Sequence, residues 1–171
     1  MKLCLCYFLI LLVFLFNGVN GGGIVEDTCK NIANQDVTLD FCVSTLRNDP
    51  KSETADLHEL SLISMNLCKS NISYVQSYIQ NLEKNPSTAQ GLEKCAGIYN
   101  EASTTLDYAL NQFQSGLFDA TSSGLSAVLL APNNCENAFK ETAAVSPLTN
   151  VNDTFNKLVN LALLITKSLI Q

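Results

Sequence analysis

The feature that most constrains this chain is a run of apolar side chains between residues 92 and 113. Leu92, Cys95, Tyr99, Ala102, Leu106, Ala109 and Phe113 recur at alternating steps of three and four without a miss. That spacing places all seven on one narrow stripe of an α-helix, and a stripe so narrow is the seam of a helix packed nearly antiparallel on its neighbours. The same reading extends to both sides. From Asp56 to Leu82 the residues Leu62, Met65, Cys68, Ile72, Val75, Ile79 and Leu82 repeat at helical steps with no Pro or Gly, which predicts one long amphipathic helix. Asn85, Pro86 and Ser87 end it, and Ser87 or Thr88 can cap the next. Ser115 and Gly116 close the second helix. A third, less regular helix is predicted from about Phe118 to Ala131, interrupted by Gly124, with a break forced by Pro132 and Asn133 before a short helical turn from Cys135 to Lys140. After Ser146 and Pro147, a last helix places Val151, Phe155, Leu158, Ala162, Ile165 and Leu169 on one stripe.

No period-two alternation bounded by hairpin turns occurs, so the fold class is all-α. Four apolar stripes joined by short connections predict an up-and-down four-helix bundle over 51–171, because short loops force antiparallel neighbours. Residues 22–50 are expected to form a separate helical hairpin, turning at Asn34 to Asp36 and held by a Cys29–Cys42 bond.

The N-terminus assigns the compartment. Met1 and Lys2 precede an unbroken apolar run from Leu3 to Phe16, and Val19 and Gly21 then supply small side chains at alternate positions. This order predicts a secretory signal peptide over residues 1–21; the run is too short for a membrane span, which takes about 18 apolar residues. Its removal takes away Cys4, Cys6 and Lys2, leaving five of the seven cysteines and moving the net charge from −6 to −7. The expected product is secreted and acidic, with no membrane association. Its lack of clustered cations argues against nucleic acid.

Cys29, Cys42, Cys68, Cys95 and Cys135 permit fifteen arrangements of two bridges and one leftover thiol. Cys29 with Cys42 is the best local pair. Cys68 lies on the apolar stripe between Met65 and Ile72, so it reads as a buried free thiol. A bond from Cys95 to Cys135 would then tie the second helix to the end of the third. No Cys or His spacing suits a metal, and no cofactor motif occurs.

Catalysis finds little to work with. His58 is the only histidine; it stands near Glu59 and Ser61, but no nucleophile motif accompanies it. The carboxylates are dispersed, and no pair is marked as gathered in a cleft. Two N-glycosylation sequons are present, at Asn71 and Asn152, and Asn152 is the better candidate because it lies near a loop and off the apolar stripe.

Three stretches carry a resemblance: TCKNIANQDVTLDFCVSTLRNDPKSETADLHELSLIS at 28–64, LEKCAGIYNEASTTLDYAL at 92–110 and NNCENAFKE at 133–141. With the signal peptide and the cysteine pattern, the chain resembles the plant invertase and pectin methylesterase inhibitor family, and within it the pollen branch. The resemblance implies the same two bridges, Cys29–Cys42 and Cys95–Cys135, and a free fifth cysteine. It also implies a protein inhibitor without chemistry of its own, which docks on a cell-wall enzyme and blocks its active-site cleft. The target is either acid invertase or pectin methylesterase. Invertase inhibitors of the family carry a Pro-Lys-Phe element in the loop entering the third bundle helix, and many pectin methylesterase inhibitors show Gly-Asp-Tyr there. This chain has Gly116, Leu117, Phe118 and Asp119 at that place, keeping the Phe and lacking the cation. These four residues are the candidate target-contact loop, and Phe118 within it is either an exposed anchor at the tip or a cap packed under the third helix. A binding protein that kept the bundle but lost the docking loop is the alternative of another class.

Overall fold

A computed structural model describes residues 23–82 and 86–170. The expected signal peptide lies outside them. Seven α-helices make up the described chain: α1 (Ile24–Ile32), α2 (Leu39–Leu46), α3 (Leu57–Asn81), α4 (Ala89–Gln114), α5 (Phe118–Val128), α6 (Ala131–Glu141) and α7 (Thr149–Lys167), with a 3-10 turn at Pro50–Thr54. The described residues contain no strand. None of their helices is long and apolar enough to cross a membrane.

The seam on α4 is the centre of the bundle. All seven of its side chains are buried, and α3, α5 and α6 pack directly on this helix. Helix α7 closes the ring by packing on α3, α5 and α6. The antiparallel sense of α3 and α4 shows in their surface pairs, where Lys69 Nζ meets Asp107 at 2.5 Å and Gln76 Nε2 meets Asn100 at 2.8 Å. Disulfide Cys95–Cys135 ties α4 to α6. With a separation of 40 residues its loop closure stabilises by about 4 kcal/mol in the chain-entropy model. Cys68 is a free cysteine sealed in the core, and burial pushes its thiol pKa up, which suppresses the reactive thiolate.

The third bundle helix breaks earlier than the sequence pattern suggests. It ends at Val128 and restarts at Ala131, so that Pro132 and Asn133 lie inside α6 instead of ending α5. A proline lacks the N–H that would bond the carbonyl four residues back and its ring collides with that carbonyl. For Pro132 that residue is Val128, the last of α5, and in the first turn of α6 the missing donor costs nothing. Gly124 does not interrupt α5 either. A Cβ there would stand 2.9 Å from the Ala109 Cβ of α4, so the glycine permits a close approach of the two helices.

The N-terminal hairpin is more than an appendage. Cys29 and Cys42 are bonded across it, and the Asn34 side chain closes its turn by accepting from the backbone N–H of Asp36 and Val37, both at 2.8 Å. Val25, Ile32, Val37 and Leu46 are buried together with Leu60 and Ile63 of α3 and Leu161 and Ile165 of α7. This second core covers the end of the bundle where α3 begins and α7 finishes. Arg47 adds ion pairs to Glu26 and Glu53.

Asn152 is a correction to the sequence reading. It is only 1% exposed, and both ends of its side chain are engaged: Tyr99 Oη donates to its Oδ1 at 2.7 Å, and its Nδ2 donates to Glu136 Oε1 at 2.5 Å. Glu136 also accepts from Ser146 and Thr149, which fixes the connection into α7. Burial and the neighbouring Glu136 charge push the Tyr99 pKa above the ordinary tyrosine range, so the phenol remains a donor. The stripe through Val151 and Phe155 predicts an outward Asn152, but α7 buries a wider face that also includes Val159 and Leu163. Asn71, the other sequon, is half-buried in the middle of α3, and its Oδ1 is enclosed without a hydrogen-bond partner.

Two expectations follow. Replacing Gly124 by Ala improves helix propensity by about 1 kcal/mol but forces α5 off α4, a collision costing about 1–3 kcal/mol, so thermal denaturation should show a lower Tm. Peptide mapping of chain made in a secretory host should find Asn152 unmodified, because a glycan cannot occupy an amide held between Tyr99 and Glu136.

Candidate functional site

The candidate loop is built where α4 ends. Gly116 has φ +74°, a left-handed conformation that side-chain-bearing residues adopt at a cost. It lets the chain reverse with two backbone bonds, Gly116 N–H to the Phe113 carbonyl and Leu117 N–H to the Gln112 carbonyl, both 3.0 Å. These are the paired bonds of a Schellman motif. Leu117 is at once the residue that caps the start of α5: its carbonyl accepts from the Thr121 N–H at 2.9 Å and the Thr121 hydroxyl at 3.0 Å. The connection from α4 to α5 is therefore three residues long, Ser115 to Leu117, and hydrogen-bonded at both ends.

Three rings hold this corner against the bundle. Phe118, in the first turn of α5, packs at 5.4 Å on Phe113, which is buried at the end of the α4 seam. His58, in the first turn of α3, lies 4.4 Å from Phe113 and meets Phe118 edge-on at 6.0 Å. The position of His58 is in turn set by a capping box at the start of α3, where the Asp56 carboxylate accepts from the Glu59 N–H at 2.8 Å and Glu59 accepts from the Asp56 N–H at 3.1 Å.

Of the two readings of Phe118, the packed one describes its place in the fold. It is half-buried, and the side chain that projects is Leu117, 53% exposed. A shallow depression of about 390 Å³ opens beside it, lined by Gly116, Leu117, Phe118, Asp119, Ala120 and Ile170. Asp119, in the first turn of α5, is exposed, where the helix dipole favours a carboxylate. Ile170, just past α7, is 42% exposed and joins this face through the fold. Neither Ile170 nor His58 stands out as a site residue in the sequence, since their partners lie more than fifty positions away and no local periodicity links them.

The arrangement is suited to contact. His58 is exposed and packs on the rings of Phe113 and Phe118. Among the described residues no group of three His, Cys, Asp or Glu side chains is gathered as a metal ion would require. What this end of the bundle offers is a hydrogen-bonded corner with an apolar tip, the flanking carboxylate of Asp119 and an exposed His58 ring packed on Phe113.

Comparison with known proteins places this architecture. The family model described as plant invertase/pectin methylesterase inhibitor matches residues 23–165. The chain is 37% identical over 171 residues to a protein of Platanus acerifolia named "Putative invertase inhibitor", covering 96% of each. It is also 33% identical over 172 residues to "Pectinesterase inhibitor 12" of Arabidopsis thaliana, covering 95% of this chain and 99% of that one. Among solved structures, a mutant form of a pectin methylesterase inhibitor from Arabidopsis superposes with a TM-score of 0.70 at 18% identity, over 85% of this chain and 97% of that chain. The latter likeness speaks for the helical fold. By the extent of the family match and the length of the shared sequence, this chain belongs to the plant invertase/pectin methylesterase inhibitor family.

Proposed function

We propose that the chain is secreted and acts as a protein inhibitor that obstructs the active-site cleft of a plant cell-wall carbohydrate-active enzyme. The observation that carries this reading is the α4–α5 corner: a three-residue loop, hydrogen-bonded on both sides and backed by three rings, presents Leu117 at the end of a disulfide-braced bundle. Such a tip loses little conformational entropy on docking, which is how a small rigid surface competes for a cleft. Family membership supports an inhibitor in place of an enzyme. Acid invertase is the first choice of target, on the side of the relative named for invertase inhibition. Pectin methylesterase is the alternative, on the side of the relative named for pectinesterase inhibition.

One feature of the loop favours a second reading, a non-inhibitory extracellular binding protein. Leu117 stands where invertase inhibitors of the family carry a lysine, so a contact to an acidic sugar pocket has no cation to make it.

The discriminating experiment is titration of purified acid invertase and of pectin methylesterase with the chain beginning at Gly22, at apoplastic pH, with gel filtration of the mixtures. The expected result is stoichiometric loss of one activity and co-elution with that enzyme. Full activity of both enzymes and no complex would leave the binding-protein reading.

A further inference from the structure

We propose that Asn71 carries an N-linked glycan in the secreted protein, and that the first sugar of this glycan rests on the stacked rings of Tyr74 and Tyr78. The inference rests on the secreted part of the reading above and is independent of which enzyme the protein inhibits. The triplet Asn71-Ile72-Ser73 alone is a weak signal. Three features of the fold set it apart.

The first is the orientation of the amide. Asn71 Oδ1 is enclosed without a partner, whereas Nδ2 is not enclosed and makes no hydrogen bond to any described residue. A carbonyl is less costly to leave unpaired than an amide nitrogen with two protons to place, so the oxygen faces inward and the nitrogen outward. Nδ2 is the atom that bears an N-linked glycan, and attachment leaves the enclosed oxygen where it is. The second is a strip of aromatic surface beside that atom. Tyr74 and Tyr78 follow Asn71 by one and two helical turns, on the flank of α3 away from Lys69 and Gln76, which reach α4. Their rings are stacked, with centroids 6.0 Å apart and planes 24° from parallel, and Tyr74 is 53% exposed. Helical side chains lean toward the N-terminus of their helix, so the Tyr74 ring lies over the turn that Asn71 occupies. An aromatic face offers an apolar seat to the C–H face of a sugar ring and leaves the sugar hydroxyls in water. A glycan tethered at Asn71 covers this open strip without a second molecule.

The third is the contrast with Asn152, both ends of whose amide are taken by Tyr99 and Glu136. A chain modified there could not close that network. Modification at Asn71 follows the chemistry of any such triplet on a chain entering a secretory compartment. Nδ2 attacks the anomeric carbon of an oligosaccharide linked to a lipid diphosphate; a C–N bond forms as the C–O bond to phosphate breaks, the lipid diphosphate leaves, and Nδ2 gives up one proton. The step precedes folding, because the helical backbone of α3 does not present the triplet in extended form. At 1.5 Å per residue Asn71 stands about 20 Å along α3 from His58, and the ring strip leads further from the α4–α5 corner.

The test expresses two versions in a secretory eukaryotic host, the full chain and one in which a host signal peptide precedes Gly22, and maps the tryptic peptides of the protein in the medium. The peptide beginning at Ser70 should carry a glycan and, after peptide N-glycosidase, show amide-to-acid conversion at Asn71; the peptide containing Asn152 should carry none. Ser73→Ala, which removes the triplet at an exposed position without touching Asn71, should abolish the glycan. Its loss should lower Tm by about 2–4 °C in the wild-type background and by less in Tyr74→Ala, where the seat is gone. A bare Asn71 in the secreted protein overturns the modification site. An equal fall in Tm in both backgrounds overturns the seat on the rings. Release into the medium only with the host signal peptide removes the secreted reading of residues 1–21, while the second version still decides Asn71.

Discussion

Burial of one face of α4 is the constraint on which the rest of the structure depends. From Leu92 to Phe113 every inward position is apolar, and each of the other bundle helices covers part of that stripe or of a helix resting on it. At about 25 cal/mol per Å² of apolar surface removed from water, and 1.5–3 kcal/mol for each large side chain, this single face supplies a sizeable share of the driving force for a domain of this size. It also determines where the ends of the bundle fall. Phe113 is the last buried residue of the seam, and the corner that follows is where the chain must reverse.

The two disulfides work on different parts of that arrangement. Cys95–Cys135 pins the restarted third helix to the seam, next to the Tyr99–Asn152–Glu136 hydrogen-bond network that fixes the connection into α7. Cys29–Cys42 closes the hairpin whose apolar side covers Leu60, Ile63, Leu161 and Ile165. A helical pair of that length has too little core to fold alone, so the bridge and the docking surface on α3 and α7 are both required. The consequence for function is stiffness at the end of the bundle where His58, Leu117 and Ile170 meet.

Most of the bundle was legible because its helices are long, periodic and separated by proline or glycine. The α4 stripe and the long helix over 57–81 could be drawn residue by residue, and the helical hairpin followed from two cysteines flanking a polar turn. Where the pattern misled, a residue type had two structural uses. Pro132 can end one helix or open the next, and only the collision with Val128 says which. Gly124 can weaken a helix or admit a neighbour, and the neighbour here is Ala109. Asn152 lies off one apolar stripe but on the second of a helix buried on both. The candidate loop was located by resemblance, yet the division of labour within it was not, because the ring of His58 that claims Phe118 arrives from sixty positions earlier in the chain.

On the proposed function, the protein obstructs its target through the α4–α5 corner. The most direct measurement is amide hydrogen exchange on the chain free and saturated with the enzyme it inhibits. New protection concentrated in peptides spanning residues 115–121, with the connection at residues 142–148 at the opposite end of the bundle unchanged, is the predicted result. Protection gained at residues 142–148 with none at residues 115–121 would contradict it.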